Sequence, residues 1–260
     1  MRIVVCLKVV PATTHDLRLD PATHRLQRSG SGVISPSDRH AVEEALRISE
    51  RRAGVEVVVL SVAPSSELPA MREALGMGAA RAVLVADPAF AGSDLLPTSR
   101  ALARALEAEA PDLTLFGAQG PDSGGAMLGA AVAERRGLPL LSQAEELEVG
   151  DERVVVKRQT ETGYEVLAAP LPCVVAVAGS INQPRFASVK GKVAARSKPV
   201  ALRSCAALDL GEELVGAAGS GTVVRAVSEP PARAQATVLK DRDDVVEQVY
   251  RFLAERRLVP

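Results

Sequence analysis

The chain has 260 residues, 31 basic and 32 acidic side chains, a net charge of −1, and only 2% aromatic residues. This balance of charge gives no signal for nucleic acid or a membrane surface, and so few rings argue against a base-stacking platform. The three cysteines are widely spaced, which indicates buried thiols in a reducing cytoplasm. No signal peptide is predicted, because Lys8 breaks the short apolar run at the N-terminus. The longest uncharged stretch, residues 166–184, carries three prolines and is not predicted to cross a membrane.

Apolar runs alternate with helical patterns along the first half of the chain. The predicted strands are residues 3–7, 57–60, 82–85 and 112–116, and helical spacing follows Ser35, Ser65, Leu95 and the glycines near residue 124. Strands separated by helices predict βαβ units, and continuous apolar strands predict burial on both faces of a parallel sheet. The fold class is therefore α/β, a mostly parallel sheet flanked by helices.

The second half of the chain has a different pattern. Residues 145–170 predict an antiparallel excursion, and the apolar run that follows predicts one more buried strand. The βα rhythm then ends, residues 216–221 read as a glycine-rich linker, and residues 243–256 predict an amphipathic helix. We therefore predict an α/β domain over residues 1–198 and a C-terminal arm with a helix over residues 199–260.

The stretch FGAQGPDSGGAMLGA, residues 116–130, contains five glycines and follows a predicted strand directly. Its Asp122-Ser123-Gly124-Gly125 resembles the nucleophile loop of trypsin-like proteases, but an alternating α/β pattern and only three histidines argue against that chemistry. A strand, a glycine-rich turn and a helix N-terminus also form an anion site from backbone N–H groups. Composition and spacing alone leave a phosphate cradle and a plain βα turn equally supported. No metal-ligand pattern is found.

The stretch from residue 182 to residue 198 is basic and carries no acidic residue. It is either a solvated face or a docking surface for an acidic protein partner. Positive charge on this chain would raise the rate at which such a partner associates with it. Its cations are Arg185, Lys190, Lys192, Arg196 and Lys198.

Several stretches together resemble the β subunit of electron transfer flavoprotein. Residues 182–188, NQPRFAS, are similar to that family's signature N-E-P-R-Y-A-[ST]. Residues 35–47, 74–85 and 229–238 resemble further family motifs in the same order, and Gly117-x-Gln119-x-x-Asp122 matches the opening of its nucleotide loop. The resemblance covers nearly the whole chain.

The resemblance implies an adenine-nucleotide-binding, Rossmann-like three-layer sandwich whose AMP is structural. It implies no catalysis by this chain, an α subunit that carries most of the FAD site, and electron transfer from flavin dehydrogenases, for example of the acyl-CoA dehydrogenase type, to an acceptor oxidoreductase. Residues 182–198 would be the recognition loop, with Arg185, Val189, Lys190 and Lys192 docking the dehydrogenase, and the C-terminal arm would clasp the α subunit. The implied AMP contacts are Cys6, Ser35, Pro36, Ser37, Asp38, Val62, Gly117, Gln119, Asp122, Ser123, Gly124, Gly125, Ala126, Met127 and Leu128, with the phosphate on the N–H groups of the last three.

The chain departs from the family pattern inside the nucleotide loop. Gly124 replaces an Asp and Met127 replaces a Gln, so backbone contacts to a nucleotide survive better than side-chain contacts. A second FAD occupies this site in some family members, and the missing Asp favours AMP or an empty site here. The alternatives are an ATP- or AMP-binding regulator of the universal-stress type, without a flavin partner, and an adenylating enzyme. The regulator leaves the C-terminal residues unexplained, and the enzyme's S-G-G-x-D-S loop is absent.

Overall fold

The computed structural model describes residues 1–12, 18–27, 32–228, 231, 236, 238–239 and 244–259. Its strands are β1 (Arg2–Cys6), β2 (Val9–Pro11), β3 (Gly32–Ile34), β4 (Glu56–Val62), β5 (Arg81–Val85), β6 (Leu113–Gly117), β7 (Leu140–Ala144), β8 (Glu146–Val149), β9 (Arg153–Thr160), β10 (Gly163–Pro170), β11 (Cys173–Val177) and β12 (Val200–Arg203). Its helices are α1 (Pro36–Arg51), α2 (Leu68–Met77), α3 (Leu95–Glu109), α4 (Leu128–Arg136), α5 (Val189–Ala195) and α6 (Val245–Glu255).

Seven of these strands form the main sheet of the described residues, in the order β12-β5-β4-β1-β6-β11-β7. Every neighbouring pair is parallel. The predicted parallel α/β sheet is therefore confirmed. The sequence pattern did not predict β7 and β12, which are the two edge strands, because each is only partly buried and lacks a long continuous apolar run.

The main sheet lies between two apolar layers. On one face, Ile3 and Val5 of β1 pack with α1, α2 and Ala195 of α5. On the other face, Val4 and Cys6 pack with α3 and α4. Successive side chains of a strand point to opposite faces, so β1 contributes to both layers and is apolar throughout. The result is the expected three-layer α/β arrangement.

The strand order reverses beside β1. From β1 the chain adds β4 and β5 on one side, and it then crosses to β6 on the other side. In open parallel sheets a ligand crevice forms at the carboxyl ends of the strands where the order reverses. This topology places the turn after Cys6 and the glycine-rich loop after Gly117 at one crevice.

The predicted antiparallel excursion is also confirmed. Strands β8, β9 and β10 form a three-stranded antiparallel sheet, and β11 then returns to the main sheet. A second small pair, β2 with β3, brings Ile34 opposite Val9. That pair leads the chain directly into α1.

Contacts divide the chain into two units, Met1–Val224 and Arg225–Pro260. Within the second unit, α6 exposes the side chains of Val246, Val249, Tyr250 and Phe252. An amphipathic helix whose apolar side chains are exposed is typical of a segment that packs against another chain. The prediction of an arm that begins at residue 199 and clasps a partner stays a prediction. Among the described residues, no helix has the length and apolarity that crossing a membrane requires.

Candidate functional site

The carboxylate of Asp38 joins the two strands that border the crevice. Asp38 lies in the first turn of α1 and is 7% exposed. Its Oδ2 accepts a hydrogen bond from the backbone N–H of Lys8 at 2.6 Å, and its Oδ1 accepts one from the N–H of Gly117 at 3.2 Å. One side chain therefore fixes the ends of β1 and β6 relative to the start of α1.

The serines at the start of α1 extend this connection to the glycine-rich loop. Ser35 is fully buried, its N–H donates to the carbonyl of Lys8 at 2.9 Å, and its hydroxyl lies 3.0 Å from that of Ser37. The hydroxyl of Ser37 donates to the carbonyl of Gln119. Pro36 occupies the first helical turn, where its missing N–H costs nothing. These predicted site residues are brought together.

Lys8 is a further site residue that the sequence reading did not assign to the site. Its Nζ lies 2.6 Å from Oδ1 of Asp122 and 3.0 Å from the hydroxyl of Ser123. The Asp122 side chain is 4% exposed, so its charge needs this partner. A lysine immediately after a buried strand was the signal available in the sequence. The loop is thus held to the end of β1 by an ion pair across the crevice.

The loop from residue 118 to residue 127 is otherwise open. The carbonyl of Gly120 accepts from the N–H groups of Ser123 and Gly124 at 3.3 and 2.8 Å, which forms a tight turn. Gly124 and Ala126 have φ values of 60° and 49°. These left-handed residues explain why α4 begins at Leu128, four residues later than the glycines suggested.

The first turn of α4 has no side-chain cap, because Met127 stands at the N-cap position and is 57% exposed. A β-carbon at Gly125 would have no atom within 4 Å. Uncapped N–H groups at a helix N-terminus attract anions, since the helix dipole adds to their partial charge. Of the three residues predicted to hold the phosphate, Ala126 and Met127 are exposed and Leu128 is partly buried.

Burial shifts the ionisation of two groups at the crevice. It raises the pKa of Asp38 to about 7, against the opposing effect of the N–H donors and of Lys8, and the nearby Asp122 raises it further. Burial, and then the charge of Asp38, raise the pKa of the Cys6 thiol well above its ordinary value. Cys6 is 4% exposed and packs in the core, so its side chain is a packed thiol rather than a reactive thiolate. At the crevice it presents its backbone.

Val62 lies at the carboxyl end of β4, beside β1, and is half-buried. It therefore borders the same edge of the sheet as the other predicted contacts. The structure gives no support to the protease alternative. The hydroxyl of Ser123 is bonded to Lys8, while His24 pairs with the carbonyl of Val224 and His40 with Asn182; His15 lies outside the described residues.

The predicted recognition loop contains the short helix α5. The hydroxyl of Ser188 caps it by accepting from the N–H of Gly191 at 3.0 Å. Val189 is 81% exposed, and Lys190 and Lys192 are exposed beside it. Arg185 differs from these three, because its guanidinium is bonded to Glu43 and Glu50 of α1.

The profile of the electron transfer flavoprotein domain family matches residues 23–208. The chain is 36% identical to the caffeyl-CoA reductase–Etf complex subunit CarD of Acetobacterium woodii, over 90% of this chain and 89% of that protein. It is 32% identical to the electron transfer flavoprotein subunit beta of Megasphaera elsdenii over the full length of both. It is 37% identical to the subunit of the same name from Thermoanaerobacterium thermosaccharolyticum, over 88% of each chain.

Proposed function

Because this chain belongs to the electron transfer flavoprotein family as a β subunit, we propose that it is the electron-carrier subunit of an FAD-containing heterodimer. The heterodimer would pass electrons from flavin dehydrogenases to an acceptor oxidoreductase, and this subunit would perform no catalysis of its own. The observation that carries the proposal is that similarity to β subunits extends over the full length of the chain. A universal-stress regulator would not account for that similarity, so it is not favoured.

We further propose that the crevice between β1 and β6 holds AMP as a structural ligand. The support is an open loop without a β-carbon at Gly124 or Gly125, followed by the uncapped N-terminus of α4. Backbone N–H groups at such a position are suited to a phosphate. Ser35, Ser37 and Asp38 would border the nucleoside, since Asp38 and Ser37 join the start of α1 to Lys8, Gly117 and Gln119 at the ends of β1 and β6. When bound, the nucleotide supplies no redox chemistry.

We propose that the FAD of the heterodimer lies mainly in a partner α subunit. The exposed apolar face of α6 supports the role of the second unit in pairing. The exposed side chains of Val189, Lys190 and Lys192 support the role of α5 in docking a dehydrogenase. One relative is named as a subunit of a caffeyl-CoA reductase complex. That name supports partners that act on CoA esters.

The decisive experiment is co-expression of this chain with the electron transfer flavoprotein α subunit of the same organism. We expect a yellow heterodimer whose flavin is reduced by an acyl-CoA dehydrogenase and its substrate. Acid release followed by chromatography would identify the nucleotide as AMP, as FAD in excess of one per heterodimer, or as none. A colourless homodimer that does not bind the α subunit would refute the carrier role. Release of ATP instead of AMP would support the universal-stress regulator.

A further inference from the structure

The basic segment, residues 182–198, begins with hydrogen bonds and ion pairs to α1. Arg185 binds Glu43 and Glu50, and Asn182 binds Glu44; these contacts are called the clamp. Glu43 and Glu44 of this helix are 3% and 4% exposed. The Arg185 backbone N–H and its Nε both donate to Oε2 of Glu43, at 3.1 and 2.7 Å, and a terminal nitrogen of Arg185 reaches Oε1 at 3.1 Å. Asn182 donates to Oε2 of Glu44 at 3.0 Å. Two of the seven residues of the signature stretch NQPRFAS are therefore bonded to buried carboxylates.

The clamp has a second, more exposed half. The guanidinium of Arg185 also reaches Glu50, two turns further along α1, with one contact of 3.1 Å and a second ion-pair contact. Burial raises the pKa of Glu43, but the hydrogen bonds and charge of Arg185, together with the hydrogen bond from Arg47, outweigh burial and the pKa is lowered. A buried carboxylate is stable only when paired. Arg185 donates three hydrogen bonds to Glu43 and Arg47 donates one, so Glu43 favours the conformation in which Arg185 lies against α1.

The residues that follow the clamp are exposed despite being apolar. Phe186 is 87% exposed, Val189 81% and Val193 61%. On its other side, α5 approaches α2 so closely that a β-carbon on Gly191 would collide with the carbonyl of Gly76. The segment is therefore held at two points, Arg185 and Gly191. Phe186 and Val189 lie between these points in the chain, and Val193 follows the second.

We propose that Arg185 is a positioning residue of the docking surface rather than a contact residue, and that its ion pairs with Glu43 and Glu50 hold Phe186 and Val189 outward for a dehydrogenase. The identity of the partner in this inference rests on the proposed function. The existence of the clamp does not. An interface with pre-ordered side chains binds more tightly, because less conformational entropy is lost on association. The clamp performs that ordering before the partner arrives.

The clamp is tested by amide hydrogen exchange on the full-length chain. Arg185→Ala should accelerate exchange of residues 186–195 by about tenfold, which corresponds to about 1.4 kcal/mol of local opening, and should leave α3 unchanged. Arg47→Ala is the matched control, because Arg47 also binds Glu43, at 3.0 Å, without touching the segment. Glu50→Gln removes only the exposed half of the clamp, so it gives a smaller change in the same direction if Arg185→Ala does not fold.

The docking role is tested on the heterodimer with an acyl-CoA dehydrogenase. Arg185→Ala should raise the KM for that dehydrogenase without lowering kcat, while Arg47→Ala changes neither. Unchanged exchange of residues 186–195 in both Arg185→Ala and Glu50→Gln overturns the clamp, whatever the partner is. Faster exchange with an unchanged KM overturns the positioning role. A wild-type chain that forms no flavin-containing heterodimer would instead refute the proposed function, and the exchange result would still stand.

Discussion

Gly117, at the end of β6, lies so close to Asp38 that a β-carbon there would be 2.5 Å from Oδ1 of that side chain and 2.5 Å from the carbonyl carbon of Ser37. The same two residues are joined by the hydrogen bond from the Gly117 N–H. Contact of backbone with backbone at the reversal point of the sheet leaves no space for a side chain. The crevice therefore depends on the absence of a side chain at residue 117 as well as on the groups that border it.

Gly117→Ala should destabilise the chain and disrupt the crevice. The new methyl group must displace the first turn of α1, and forcing atoms into a packed site costs about 1–3 kcal/mol. Thermal unfolding should show a lower Tm, and acid release should show less bound nucleotide. Gly129→Ala is the control, since a β-carbon there would lie 3.5 Å from the Phe116 ring, an ordinary contact. An unchanged Tm in Gly117→Ala would show that the close approach is not maintained in solution.

Gly125→Val should separate nucleotide binding from folding. A β-carbon at residue 125 has no protein atom within 4 Å, so the nucleotide-free chain should keep its Tm. A bound phosphate would meet the added methyl groups, and retention should fall about tenfold, or by about 1.4 kcal/mol. Quantifying the nucleotide released by acid measures this. Ser123→Ala should retain nucleotide, because Lys8 keeps its ion pair with Asp122. Full retention in Gly125→Val would contradict a phosphate at this loop.

The main sheet and its crevice were predictable because they depend on local signals. Apolar runs, helical spacing and a glycine-rich turn after a strand each lie within about fifteen residues, and parallel topology then brings strand ends together. Lys8 was not assigned to the site, since nothing local connects it to Asp122, 114 residues away. Ion pairs of this kind depend on tertiary contact rather than on pattern.

Two further features show how composition misleads. The composition of the stretch from Gly216 to Gly221 predicts a linker, yet Ser93 and Asp94 bind this stretch to the loop before α3 by hydrogen bonds. Its glycines serve close approach, because a β-carbon on Gly216 would collide with the carbonyl of Ala89. Likewise, a count of basic residues groups Arg185 with the exposed lysines, although its charge is paired with Glu43.

Asp38 should make stability depend on pH in an unusual direction. Its pKa rises from the ordinary 3.8 to about 7 in the folded chain, mainly through burial. A carboxyl whose folded pKa is raised binds its proton more tightly in the native state, so stability falls as pH rises from about 4 to about 7. The difference corresponds to about 4 kcal/mol at most. Denaturant unfolding at several pH values measures it, and Asp38→Asn should flatten the profile. The same slope in Asp38→Asn would assign the effect to another group.

Charge reversal at α5 should slow docking without altering the fold. Lys190 and Lys192 are exposed, and opposite charge on a partner accelerates encounter. The double substitution Lys190→Glu with Lys192→Glu should lower the rate of electron acceptance from an acyl-CoA dehydrogenase about tenfold at low salt, and less at high salt. Arg104→Glu is the control, because α3 lies on the opposite face of the main sheet. The double substitution changes the net charge by about four and the control by about two. A loss in the control about half as large on a logarithmic scale would therefore show that net charge, rather than the position of the two lysines, causes the effect.

Asp94 should contribute to stability at the point where the first unit ends. Its carboxylate caps α3 by accepting from the N–H of Leu96 at 2.8 Å. It also accepts from the N–H groups of Gly221 and Thr222 at 2.8 and 2.9 Å and from the hydroxyl of Thr222 at 3.0 Å. These bonds lower its pKa although burial opposes them. The carboxylate is thus the common acceptor for the helix and for the glycine-rich stretch.

Asp94→Ala should therefore cost about 2 kcal/mol, the upper range for a helix cap, because it also leaves the stretch around Thr222 without its acceptor. Asp94→Ser retains a cap for α3 but reaches Thr222 less well, so its loss should be smaller. A carboxyl with a lowered folded pKa stabilises above its ordinary pKa and loses that contribution as pH falls, so the gap between wild type and Asp94→Ala should narrow in acid. Denaturant unfolding of the three proteins at neutral and acidic pH measures both effects. Equal stability of wild type and Asp94→Ala at neutral pH would show that the stretch after Val215 is a linker after all.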